Sequence, residues 1–169
     1  MKKVLFGTLG FILLCAASAS AGTGTADMAV SALVLNVCTV TATPLAFGNY
    51  DPTSSTANDN TGTVVVACTL GASATVTMDQ GGHAASGSSN AAPLRQMLGT
   101  VDNTQKLRYD LYQNTGRTTV WGNTVATGEA YTGVGPLNTT TLTVFGRVPI
   151  NQNAKADAYT DMVVATITY

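Results

Sequence analysis

An all-β sandwich is the fold class that this sequence predicts, and three observations predict it. After residue 21 the apolar residues never recur at helical spacing. Short runs that alternate apolar and polar residues take their place, as strands with one buried face require. Gly, Asn, Ser and Thr fill the intervals, where turn chemistry is needed. Many short strands separated by turns indicate two packed sheets in one domain.

The first 21 residues read as a leader. Lys2 and Lys3 precede an apolar core over Val4 to Leu14, and Ala19-Ser20-Ala21 is an A-x-A cleavage site. The mature chain then starts at Gly22 and has no membrane insertion after cleavage, because the apolar core is too short for a span. Cys15 follows Leu14 where a lipoprotein signal needs a small residue, which argues against a lipid anchor.

Residues 22–31 form an extension. Ala26, Met28 and Val30 share one face with Ala32, and the opposite face is small or polar. This half is suited to lying in a groove. Leu33-Val34-Leu35 is apolar on both faces and predicts a strand buried in the domain, which is set at 32–169.

Within the domain, Thr63–Leu70 is β-branched and predicts a central strand, with Ala74–Met78 pairing to it as a hairpin across Gly71. Lys106–Tyr112 alternates, with Leu107, Tyr109 and Leu111 inward and Arg108 and Asp110 toward water. Thr141–Val148 alternates with Leu142, Val144 and Val148 on one face. The polar stretches 51–60 and 80–90 predict exposed, mobile loops. Arg95 belongs to a predicted edge segment as a paired or surface arginine, and Trp121 predicts a buried anchor under a loop.

Asp161–Tyr169 alternates without interruption. Val163, Ala165, Ile167 and Tyr169 fall on one face, and no turn residue follows. Such a strand offers an edge of backbone N–H and C=O groups on which another chain can pair.

Composition excludes several functions. Without the leader, six Lys and Arg face nine Asp and Glu, and this mildly acidic balance argues against nucleic acid. No basic patch is available for anionic lipid. Export to an oxidising compartment makes a Cys38–Cys68 disulfide the default reading of the two remaining cysteines. One pair of cysteines and the single histidine, His83, are too few soft ligands for a zinc site, so no metal or cofactor is expected. Asp51 and Asp59 bracket a polar loop at a spacing that fits no standard Ca²⁺ loop. His83 lies in a Gly/Ser-rich loop with no nucleophile elbow and reads as exposed and inert. Glu129 is the only glutamate, and no second carboxylate stands out to make a glycosidase pair with it. No catalytic residue is assigned.

Taken together and in order, four segments resemble the spore coat protein U domain family of archaic, Csu-type chaperone–usher pilus subunits. They are Val37-Cys38-Thr39-Val40 with Phe47-Gly48-Asn49-Tyr50-Asp51-Pro52; Val64–Thr69; Arg95-Gln96-Met97 with Leu107–Tyr112 and Trp121-Gly122; and Phe145-Gly146-Arg147 with Tyr159–Tyr169. The likeness spans essentially the whole mature chain. One departure is Asp157, where the family usually has Gly two residues before the terminal-strand Tyr.

The resemblance implies an immunoglobulin-like β-sandwich that lacks its final strand. A periplasmic chaperone fills the gap, and an outer-membrane usher exchanges it for the extension of another subunit in a head-to-tail polymer. Carried onto this chain, residues 22–31 are the donor strand, with Ala26, Met28 and Val30 on its inserting face. Val163, Ala165 and Ile167 then form part of the acceptor groove. The expected product is an extracellular fibre that supports adhesion or biofilm formation. Two other classes stay open: a fibre-tip adhesin or glycan-binding module, and, remotely, a secreted hydrolase. The extension has its own alternative, as the first strand of a complete domain.

Overall fold

The computed structural model describes residues 20–169. Most of the predicted leader therefore lies outside the described residues. The chain divides into two units between Leu33 and Val34. Residues 20–33 form no helix or strand, and Met28 and Val30 are each 86% exposed.

Residues 34–169 fold as nine strands and one 3-10 turn. The strands are β1 (Cys38–Ala42), β2 (Asn58–Cys68), β3 (Ser73–Met78), β4 (Arg95–Gly99), β5 (Lys106–Tyr112), β6 (Glu129–Thr132), β7 (Thr140–Val148), β8 (Tyr159–Thr160) and β9 (Ala165–Thr168). The 3-10 turn, Val125–Thr127, is capped by the Thr124 hydroxyl, which accepts from the Thr127 N–H. Six strands form one sheet in the order β1-β2-β7-β5-β4-β8, and three form another in the order β6-β3-β9. The all-β sandwich is thus the observed class. Among the described residues no helix is long and apolar enough to cross a membrane.

The core lies between the sheets, where alternate side chains of each strand point inward. Val64 and Val66 from β2, Val76 from β3, Leu107, Tyr109 and Leu111 from β5, and Val144 and Val148 from β7 are buried there. Trp121 is buried among them and donates its Nε1–H to the Val76 carbonyl at 2.8 Å, as its sequence context predicts.

Several expectations need correction. Ala74–Met78 does not pair with β2. β2 already has β1 on one side and β7 on the other, so the chain turns at Gly71 (φ 78°) and crosses to the second sheet. Leu33, Val34 and Leu35 form no buried strand; all three are exposed, and pairing starts at Cys38. The loop 51–60 ends early, because Asn58–Asn60 already pair with β7. The loop 80–90 folds back on the start of β4, with the Ala85 N–H donating to Leu94 O at 2.8 Å.

Asp110 is buried, with its carboxylate taking two bonds of 3.2 Å from Arg108 Nη2. Arg95 is fully buried on β4, which lies between β5 and β8 and is not an edge. The strand β6 is too short, at Glu129–Thr132, to give a periodic signal in sequence.

The alternating run Asp161–Tyr169 forms a strand only over Ala165–Thr168, and Tyr159–Thr160 just before it forms a separate one. β8 pairs with β4 in the larger sheet, and β9 pairs with β3 in the smaller one. Between them the Gly82 N–H donates to Met162 O, and the Asp79 N–H to Val164 O, each at 3.1 Å. The alternation persists through the switch: Val163, Ala165 and Ile167 are half-buried against the core, while Met162 and Val164 are exposed.

Candidate functional site

An apolar groove of about 1170 Å³ opens in the domain. Its volume exceeds the roughly 300–1,000 Å³ of a small-molecule pocket, and it is partly open to solvent. Its floor is the core itself, formed by the buried side chains of Val64, Met78, Leu107 and Val144.

One wall is the chain that leaves β1. β1 is the edge of the larger sheet, and its pairing continues one residue further through the Thr43 N–H to Thr63 O at 2.9 Å. Residues 44–50 then run beside β2, tied to it by side chains. Asn58 Nδ2 donates to Asn49 O at 2.9 Å, Asn60 Nδ2 donates to Ala46 O, and Tyr50 Oη donates to Pro149 O at 3.1 Å. Leu45 and Phe47 turn inward over Gly146. A Cβ at Gly146 would stand 2.7 Å from Leu45 Cδ1 and 2.8 Å from Phe47 Cζ, so any larger residue there would push both side chains out of place.

The other wall runs from Ala154 through β8 to Ala165 at the start of β9, the edge of the smaller sheet. Val163 and Ala165 line the groove, whereas Ile167 packs against the core beyond it. Ala26, Met28 and Val30 lie in the exposed segment before Leu33. Leu45, Phe47 and Tyr50 form a wall that sequence reasoning missed. The i, i+2 spacing of Leu45 and Phe47 is its local signal, and Phe47 and Tyr50 fall inside the first of the four family-like segments.

Two polar clusters hold the second wall. Asp161 is almost fully buried. It accepts from Tyr109 Oη at 2.7 Å and from the Gly82 N–H at 2.9 Å, and it lies 3.0 Å from His83 Nδ1. Burial, then the Asp161 carboxylate beside it, push the Tyr109 phenol well above its usual range. His83 is therefore half-buried and engaged, not free. Gly81 (φ 77°) turns the chain back and brings it to Asp161.

The second cluster sits at the groove's lip. Asp157, in the family's glycine position, accepts from the Asp102 N–H at 2.8 Å, the Val101 N–H at 3.0 Å and Thr100 Oγ1 at 3.2 Å. Chiefly the Asp102 N–H, with those of Val101 and Ala158, holds its carboxyl below the usual range. Asp102 is drawn down to about 2 by the Thr104 hydroxyl and then by Lys155 Nζ at 3.0 Å.

Both folded pKa values lie below the unfolded value near 4, so this stabilisation is complete above about pH 4 and is lost as pH falls toward 2. The melting temperature is expected to drop between pH 4 and pH 2, and Asp157→Asn is expected to flatten that drop. An identical acid profile for Asp157→Asn would remove Asp157 from the account.

Asp51 and Asp59 do not converge on a cation. Asp51 accepts from the Thr53 N–H and hydroxyl, and Asp59 is paired with Arg147 at 2.8 Å and Arg117 at 3.3 Å. Among the described residues no cluster of three or more His, Cys, Asp or Glu is placed to hold a metal ion. Cys38 and Cys68 are directly opposed on β1 and β2 and form a disulfide, with Cα atoms 4.1 Å apart.

Known proteins share this framework. A family model described as the Spore Coat Protein U domain matches residues 24–166. Protein U of Myxococcus xanthus is 39% identical over 167 residues, covering 93% of this chain and 91% of that protein. A solved structure of a chaperone–tip adhesion subunit pre-assembly complex, CsuC-CsuE, comes from archaic chaperone-usher Csu pili of Acinetobacter baumannii. The chain it contributes is similar in fold, at a TM-score of 0.52 and 18% identity, over 80% of this chain. This chain spans only 40% of that solved chain. With the family model matching all but the two ends of the sequence, and a relative of nearly equal length at this identity, the chain belongs to the Spore Coat Protein U domain family.

Proposed function

We propose that this protein is a structural subunit of a chaperone–usher surface fibre and polymerises by donor-strand exchange. The observation that carries the reading is the groove, where the core opens between residues 42–50, which leave the edge strand β1, and residues 154–165. Residues 22–31 of one subunit lie in this groove of another, with Ala26, Met28 and Val30 directed at the floor. Their backbone pairs with the open edges, and their side chains cover the half-buried Leu45, Phe47, Met97 and Val163 of the groove. Covering apolar surface stabilises at roughly 25 cal/mol per Å², so completion of the fold and assembly are one event.

A periplasmic chaperone occupies the groove before assembly, and an outer-membrane usher directs the exchange. The chain is exported through the periplasm, becomes part of an extracellular fibre that supports adhesion or biofilm formation, and has no catalytic role. Because each contact is head-to-tail and does not close, the product is a filament.

Deleting residues 22–31 tests this. The expected result is a soluble, chaperone-bound subunit and complete loss of polymers on gels and in electron micrographs. Fibres of normal length from the deletion would sink the reading. Likeness to a solved complex of a chaperone with a tip adhesion subunit favours a second placement, at the fibre end. Immunogold label confined to fibre ends would select it; label along the shaft selects the repeating subunit.

A further inference from the structure

We propose that the apolar pole formed by Leu70, Val134 and Leu137 beside Val37 is the face on which successive subunits pack. Its occupant is the groove-mouth end of the copy that receives this chain's residues 22–31. The inference rests on the donor-strand reading above and adds a second, side-chain interface to it.

Leu70 is 75% and Leu137 95% exposed, and Val37 and Val134 are exposed with them. Three stretches of chain meet there, and backbone bonds lock them together. The Thr69 N–H donates to Val37 O at 2.9 Å, the Gly71 N–H to Gly133 O at 2.8 Å, and the Gly133 N–H to Ala72 O at 2.8 Å. Asn138 closes the outer turn, with its Nδ2 donating to Val134 O at 3.1 Å. Gly133 is pressed so closely on Thr69 O that a Cβ there would collide. The Cys38–Cys68 disulfide lies directly beneath.

These apolar side chains are therefore held on a rigid frame. Residues 35–37, 69–72 and 133–138 include no charged residue. Clustered exposed apolar side chains without charge are the composition of an interface centre.

Chain geometry names the occupant. Ser31, the last donor residue, is six residues before Val37, a reach of at most about 20 Å. The copy that holds Ser31 must lie within that reach of this pole. In a head-to-tail polymer the end it presents is the one opposite its own apolar pole. β7 runs from Thr140, opposite Val66 near the apolar pole, to Val148 at the far end. There the groove opens past Tyr50, whose hydroxyl bonds Pro149 O. That far end carries its own exposed apolar side chains, Ile150 after β7 and Val101 in the β4–β5 turn. Head-to-tail stacking brings Leu70 and Leu137 of one copy to Val101 and Ile150 of the next.

The test uses the full chain, expressed with its chaperone and usher, with photoreactive benzoylphenylalanine in place of Leu137 or, as a control, of Thr143 on the outer face midway along β7. Irradiated fibres are expected to give a ladder of subunit–subunit adducts from position 137 and none from 143. Peptide mapping is expected to place the adducts in residues 98–106 or 149–155. Fibres that form without adducts at 137, adducts that map elsewhere or only to the chaperone, or equal adducts from 143 overturn this interface and leave the donor-strand reading standing. If the unsubstituted chain forms no polymer, the donor-strand reading falls and the interface falls with it.

Discussion

Arg95→Met is expected to lower the unfolding free energy by about 3 kcal/mol, because several buried hydrogen bonds are lost at once. The Arg95 guanidinium is fully buried and donates to three backbone carbonyls: Asp79 O at 2.8 Å through Nε, and Met78 O at 3.0 Å and Trp121 O at 2.7 Å through Nη2. These carbonyls belong to the end of β3 and to the loop after β5, so one β4 side chain joins the two sheets. Methionine fills a similar volume but leaves the three acceptors unpaired, at about 1–3 kcal/mol for each group.

The full sum is not reached, because removing the cation also removes its own desolvation cost. That cost is visible in the Arg95 pKa, which burial lowers despite the opposing pull of Tyr109, Asp79, Asp110 and Asp161. Arg95→Lys keeps the charge but loses the planar fork, and about half the effect is expected. Urea denaturation measures all three proteins; a wild-type midpoint for Arg95→Met would show that the clamp is dispensable.

Cys38→Ser is the second large effect. The bridge closes a sequence separation of 30 residues and pins the edge strand β1 to β2. Loop-closure entropy for that length gives roughly 3.5 kcal/mol. In a domain of this size the melting temperature falls by roughly 10 °C. The loss concentrates on β1, because β1 has β2 as its only strand partner among the described residues. Subunit yield under oxidising conditions is expected to fall with it. Equal melting temperatures for Cys38→Ser and the parent, both measured oxidised, would contradict the estimate, and reduction of the parent should reproduce the variant.

Most strands were legible because a period of two is a local property. Thr63–Leu70, Ala74–Met78, Lys106–Tyr112 and Thr141–Val148 overlap β2, β3, β5 and β7. The inward faces of Leu107, Tyr109, Val144 and Val148 follow from the same alternation. The groove was half legible. Val163 and Ala165 lie in an alternating run, whereas residues 43–50 are held by Asn58, Asn60 and Tyr50 without a ladder of their own. A segment fixed by side chains from elsewhere leaves little periodic trace.

Arg95 was misplaced for a related reason. An arginine is ordinarily an outward residue, and only the convergence of Met78, Asp79 and Trp121 makes an inward one tolerable. Likewise, Leu33-Val34-Leu35 is hydrophobic enough for a core strand, yet the ladder of β1 begins at Cys38.

By itself the sequence determined the all-β class, the faces of most strands, the pairing of Cys38 with Cys68, and the family. Each depends on local periodicity or on residues that can be counted. Only the tertiary structure decided which sheet each strand joins, that residues 159–168 divide between two sheets, and that residues 42–50 and 154–165 bound a groove. Those outcomes depend on which distant backbone edges meet and saturate one another's hydrogen bonds, and alternation within a strand carries no record of its neighbours.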